Sequence, residues 1–96
     1  MIHLKLYEIL VHLHSSIPTG TRLLKNKFEE NTTLLEGLLS VLSQNKEVYE
    51  LLVVDEDIKP GFLVISDKIE LRTTKLLDSV IKKNTELTII PISHGG

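Results

Sequence analysis

The sequence predicts an α+β domain, a mixed β-sheet with one main helix packed across a single face. Three observations lead there. The first and last apolar stretches alternate with a period of two, as half-buried strands do. Between them lies one stretch with leucines at helical spacing, led by a cap. The chain has 96 residues, 42% of them hydrophobic, enough for one small core.

Residues 2–14, IHLKLYEILVHLH, form the first strand. Ile2, Leu4 and Leu6 alternate in one phase, and Ile9, Val11 and Leu13 in the other. A strict period of two cannot bring both sets to one face. A bulge near Tyr7 and Glu8 is therefore expected. Ser15 to Gly20 supplies turn chemistry, and a second strand runs from about Thr21 to Phe28, completing a hairpin.

A helix follows. Thr33 is its N-cap, with Glu36 as capping-box partner. Leu35, Leu38, Leu39 and Leu42 share one face. Gly37 inside it allows a strand to approach closely, and Asn45 is a stop. Lys46 to Val54 fits a strand or a continued helix; its β-branched residues favour extended structure. Asp55, Glu56 and Asp57 form an acidic turn before Pro60-Gly61. FLVIS at 62–66 and IELR at 69–72 read as short strands around Asp67-Lys68. One or two helical turns fit 74–83, and ELTIIPI at 86–92 is the last strand.

Hairpin, helix, short strands, helical turn, strand is an order that sets strands on both sides of one helix. With the first and last strands parallel and central, it is the β-grasp, or ubiquitin-like, arrangement. Residues 1–92 make this domain. Residues 93–96 make a tail that needs ordering only on binding.

Composition excludes several classes. There is no cysteine, hence no disulfide framework, thiolate metal site or thiol nucleophile. The net charge is -2 with scattered lysines, which argues against direct nucleic-acid binding. No apolar run is longer than the four residues of Leu51 to Val54, too short to span a membrane. The start MIHLKLYEIL lacks a signal-peptide pattern. A cytoplasmic monomer is expected. His12 and His14 stand two apart without a third ligand nearby, so a solvated strand face is expected and no metal. Asp55 to Asp57 lacks the alternating calcium-loop pattern. No phosphate-cradling Gly loop or nucleophile–base pair is legible.

Gly95 and Gly96 stand apart. Glycine is costly to order and packs least, so a terminal pair is either a ragged end or a tail that something narrow grips. The segment PGFLVISDKIEL, followed by ELTIIPISHGG, resembles the ubiquitin-related modifier and sulfur-carrier family. Its relatives include the small subunit of molybdopterin synthase and the thiamine-pathway sulfur carrier. The likeness runs best from Asp55 to Gly96, and His94-Gly95-Gly96 favours the modifier branch. One departure is Lys83-Asn84-Thr85, where relatives often carry Asp-Gly-Asp; Asn tolerates the left-handed conformation a Gly would take.

The resemblance implies a carrier and modifier, not an enzyme. An E1-like adenylyltransferase would adenylate the Gly96 carboxylate with ATP, and no cofactor would stay bound to the chain. A sulfur donor of rhodanese or cysteine desulfurase type would then yield a thiocarboxylate. The sulfur would pass to a tRNA-thiolating enzyme, or the activated end would join lysines of target proteins. Gly95 and His94 would thread into the E1-like site. An apolar sheet patch would meet that enzyme, with Ile90 in it and Ile69 and Tyr7 as companions. Two alternatives stand beside this one: a small subunit of molybdopterin synthase supplying sulfur to molybdenum cofactor synthesis, and a non-catalytic β-grasp interaction module with an inert tail.

Overall fold

The computed structural model describes residues 4–92. Strand β1, Leu6–Leu13, buries Ile9, Val11 and Leu13 on one face. Strand β2, Leu23–Glu29, pairs antiparallel with it in unbroken register from Leu6 opposite Glu29 to His12 opposite Leu23. The expected bulge near Tyr7 and Glu8 is therefore absent. The strand has no need of one, because Leu4 and Leu6 stay exposed, at 66% and 54%. The two phases mark two faces of a regular strand.

Helix α1, Leu34–Leu42, starts at the Thr33 capping box. The Glu36 N–H donates to Thr33 Oγ1 at 3.1 Å, and the Thr33 N–H donates to Glu36 Oε1 at 3.2 Å. Leu38, Val41 and Leu42 are buried, and Leu35 and Leu39 pack against the core from its margin. Helix α1 ends at its C-cap Ser43, and Asn45, the expected stop, begins another helix. Its Oδ1 accepts the Val48 N–H at 3.1 Å and caps α2, Lys46–Leu52. The extended structure expected over 46–52 is thus corrected to helix. The cap and the spacing of buried Val48 and Leu52 outweigh a weak β-propensity. The chain becomes extended at β3, Val53–Val54, which pairs with β4, Asp57–Ile58. Asp55 and Glu56 make that turn with φ of 50° and 59°, the left-handed pair a two-residue hairpin requires.

Strand β5, Phe62–Ser66, and strand β6, Ile69–Glu70, form the expected hairpin, with Asp67 and Lys68 at φ 49° and 67°. A single 3-10 turn, Leu76–Asp78, follows. It leads to a stretch tied to the α1 start by the Ile81 N–H donating to the Thr32 carbonyl at 2.7 Å. Strand β7, Thr85–Pro91, then runs through the sheet centre. The order is β2-β1-β7-β5-β6, with β1 and β7 parallel and the other pairings antiparallel. The helices cover one face. Asn84 does not use the left-handed conformation expected of it; its Oδ1 accepts the Glu8 N–H at 2.8 Å, which locks the entry to β7 against β1.

Gly37 marks the closest approach of helix to sheet. A Cβ there would lie 2.4 Å from Ile9 Cδ1, and Ile9 is fully buried. Gly37→Ala gains up to about 1 kcal/mol of helix propensity but faces overpacking of about 1–3 kcal/mol. We expect a net loss of roughly 1 kcal/mol in urea denaturation, from the balance of those terms. Ile9→Val removes the obstructing methyl. In that background Gly37→Ala should become neutral or stabilising, and an equal loss in both backgrounds would contradict the contact.

Candidate functional site

Strand β7 divides its residues sharply between two environments. Leu87 and Ile89 are fully buried under the helices, whereas Glu86, Thr88 and Ile90 point to the opposite, uncovered face by the alternation of a strand. Two backbone bonds hold the end of the strand. The His14 N–H donates to the Ile89 carbonyl at 3.0 Å, and the Ile92 N–H donates to the Gly61 carbonyl at 2.7 Å. Ser93, His94, Gly95 and Gly96 follow directly in sequence. The functional residues expected there, His94, Gly95 and Gly96, lie outside the described residues, as does the proposed tail 93–96.

On the uncovered face Ile90 stands opposite Leu63 of β5, and Ile65 stands opposite Thr88. Leu10 of β1 is on the same face, beside Glu86. All four aliphatic side chains are partly exposed, and none belongs to the set packed on the helix-side core. Leu23 extends the apolar surface towards the β2 edge, 51% exposed. Ile90, Leu63 and Ile65 thus form one uncovered apolar group, while Glu86, Thr88 and His12 stand between it and Leu10.

Ile90 therefore lies in an apolar sheet patch, but its expected companions are elsewhere. Tyr7 has the parity of Ile9 and packs against the core on the helix side. Ile69, 46% exposed, lines a separate groove with Leu34, Leu71 and Leu76. The companions the structure supplies are Leu63 and Ile65. Their signal was present in the sequence. Strands β1 and β5 carry aliphatic residues in both phases, and a strand apolar on both faces needs two partners.

Polar groups around the site are mostly committed to structure. His12 Nε2 lies 3.4 Å from Glu86 Oε2 on the uncovered face. His14 Nδ1 accepts the Ser16 N–H at 3.1 Å within the β1–β2 loop. Among the described residues no group of three or more His, Cys, Asp or Glu side chains converges as a metal site would. No helix among them is long and apolar enough to cross a membrane. A cleft of about 450 Å³ opens beside the end of β7, with Leu35, Phe62, Arg72, Lys75 and Ile92 in its wall.

Glu70 organises that side. Its carboxylate accepts the Val64 N–H at 3.0 Å, the Arg72 N–H at 3.0 Å, and the Thr73 N–H and hydroxyl at 2.7 and 3.0 Å. Partial burial pushes its pKa up, but the bonds from Thr73, Val64 and Arg72 outweigh this and leave it below the ordinary 4.5. A depressed folded-state pKa gives stability that is present above 4.5 and is lost as pH falls through the folded value. Glu70→Gln should lower Tm at neutral pH, with the gap to wild type closing under acid. A gap independent of pH would show that the charge plays no part.

A mixed five-stranded sheet with parallel central strands and helices across one face is the β-grasp fold. Known structures share it along nearly the whole chain. The crystal structure of SAMP1 from Haloferax volcanii matches 93% of this chain and 99% of its own, with a TM-score of 0.68 at 15% identity. The solution structure of the small archaeal modifier protein 1 from Methanosarcina acetivorans matches 96% of this chain and 99% of its own, with a TM-score of 0.67 at 18% identity. A chain of the Amycolatopsis orientalis BexX/CysO complex matches 92% of this chain over 99% of its own length, with a TM-score of 0.61 at 23% identity. No family model matches the sequence, and no curated protein matches it significantly.

Proposed function

We propose that this chain is a ubiquitin-like sulfur carrier and protein modifier that acts through the carboxylate of Gly96. The observation that carries the proposal is the end of β7. The central strand of a β-grasp sheet, bonded on both sides, runs within a few residues into Ser93-His94-Gly95-Gly96. The fold likeness to structures described as small archaeal modifier proteins supports the same conclusion. The likeness to a chain of a two-protein complex supports a protein partner.

The chemistry follows from the weakness of a carboxylate as an electrophile. The Gly96 oxygen attacks the α-phosphate of ATP, and pyrophosphate leaves. The resulting acyl-adenylate has AMP as a good leaving group. A persulfide on the sulfur donor attacks the acyl carbon and expels AMP. A second donor thiol then cleaves the acyl disulfide, leaving a thiocarboxylate on Gly96 and a disulfide on the donor. The E1-like enzyme binds ATP and supplies the catalytic groups. This chain supplies the reacting atom, a tail narrow enough to enter the enzyme's site, and the patch of Ile90, Leu63 and Ile65 for docking. Sulfur then passes to tRNA through a thiolating enzyme, or the activated end is joined to lysines.

The adenylation step is tested by exchange of labelled pyrophosphate into ATP, with an E1-like enzyme already shown active on another carrier. Exchange that depends on this chain, and is lost when Gly95 and Gly96 are removed, supports the proposal. Exchange that ignores the truncation contradicts it and favours an interaction module with an inert tail.

A further inference from the structure

The chain contains two arginines, Arg22 and Arg72, and both are spent on backbone carbonyls of loops beside the end of β7. Arg22 donates to the carbonyls of Leu13 at 3.4 Å, Ile17 at 2.8 Å and Thr19 at 2.6 Å, and also to that of His14. Arg72 donates to the carbonyls of Ile58 at 2.9 Å, Lys59 at 3.1 Å and Phe62 at 3.1 Å. Among the described residues neither guanidinium meets a carboxylate. A planar fork of five donors is suited to gathering several carbonyls at once, and an ammonium is not.

The position of the two loops is what matters. β1 and β5 are the strands that flank β7. β1 ends where Leu13 stands beside Ile89, and β5 begins where Phe62 stands opposite Pro91. The loop after β1 and the loop before β5 therefore stand on either side of the point where the chain leaves the sheet. Each is bonded to β7: His14 donates to the Ile89 carbonyl, and the Gly61 carbonyl accepts from Ile92. Gly61 has φ +100°, a conformation that aims this carbonyl and that other residues rarely adopt. Glu70 in turn accepts the Arg72 N–H, which fixes the base of the second staple.

We propose that Arg22 and Arg72 are positioning residues, which staple a two-loop collar that fixes the direction in which the tail leaves β7. This rests on the carrier function proposed above and names how the domain presents its end to the activating enzyme. A tail whose root is already aimed loses less conformational freedom on entering a narrow site. The collar therefore acts on KM for the chain, with kcat at saturation left near wild type.

The test has one arm without the enzyme and one with it. In the free protein, Arg72→Ala should raise hydrogen exchange at the Ile92 amide about tenfold, the scale of one hydrogen bond. Arg22→Ala should do the same at the His14 amide. Arg72→Lys should restore only part of the protection at Ile92, because one ammonium reaches fewer of the three carbonyls. With the enzyme, Arg72→Ala should raise KM in pyrophosphate exchange by roughly three- to tenfold, with kcat unchanged. Ile92→Pro deletes the N–H donor and leaves Arg72 in place, so it should raise KM in the same way even if Arg72→Ala folds poorly. An unchanged Ile92 exchange rate in folded Arg72→Ala overturns the collar. So does an unchanged KM in both variants while wild type is active. No exchange with wild type would overturn the carrier function, and with it the role of the collar in activation, while the amide measurement still reports on the staple itself.

Discussion

Gly95→Ala should slow activation of the chain about a hundredfold or more, a loss of ~2.7 kcal/mol of transition-state stabilisation, while leaving Tm unchanged. On the proposed function, the carboxylate reaches the α-phosphate of ATP inside another protein through a channel sized for bare backbone. A methyl group at Gly95 would then meet the wall of that channel, and it also removes backbone conformations open only to glycine. The folded domain should be indifferent, because Gly95 lies three positions beyond Ile92, the last of the described residues bonded to the sheet. The effect should grow with side-chain size, so Gly95→Val should be slower than Gly95→Ala. Pyrophosphate exchange and a thermal melt on the same samples measure both halves. Full activity in Gly95→Val would rule out a narrow site.

Ile89→Ala and Ile90→Ala, one position apart, should fail in opposite ways. Ile89 is fully buried between sheet and helices. Its truncation should cost about 2–5 kcal/mol, a drop in Tm of more than about 10 °C for a domain of this size. Activation of the fraction still folded should be normal. Ile90 is partly exposed on the uncovered face beside Leu63. Its truncation should cost about 1 kcal/mol of stability or less, since little buried area is lost, yet lower kcat/KM with the activating enzyme roughly tenfold or more, as anchor residues of interfaces do. Leu63→Ala should behave like Ile90→Ala. The double variant should show coupling, because the two side chains are cross-strand neighbours. Equal effects of Ile89→Ala and Ile90→Ala on kcat/KM would contradict the division of β7 into a core face and a docking face.

Much of this architecture is legible in the residues themselves. Thr33 and Glu36 announce the helix start, because a capping box satisfies two backbone donors at once. Asp67-Lys68 between FLVIS and IELR marks the hairpin, and Gly37 marks the close approach of Ile9. Where the structure departs, the reason is physical. Asn45 is both a poor helix interior residue and a good cap. Its side chain caps the second helix through a local bond to the Val48 N–H, which reading Asn45 only as a stop does not reveal. The two alternations in β1 are equally consistent with a bulge and with a strand apolar on both faces. Only the pairing with β2, unbroken from Leu6 to His12, distinguishes them. The neighbours of Ile90 on the uncovered face were missed for the same reason. Ile90 was legible because β7 leads to the diglycine, but Leu63 and Ile65 join it through long-range pairing. Tyr7 and Ile69 look comparable in sequence and end on other surfaces. The arginine staples are the least legible feature, because their partners are carbonyls, which every residue carries.

The most direct measurement is the intact mass of the chain after incubation with ATP, an E1-like enzyme and a persulfide sulfur donor. The expected result is a gain equal to sulfur replacing one oxygen, localised to Gly96 and absent when ATP is omitted. An unchanged mass, with the same enzyme and donor converting another carrier, would contradict the claim that Gly96 is the working group of this protein.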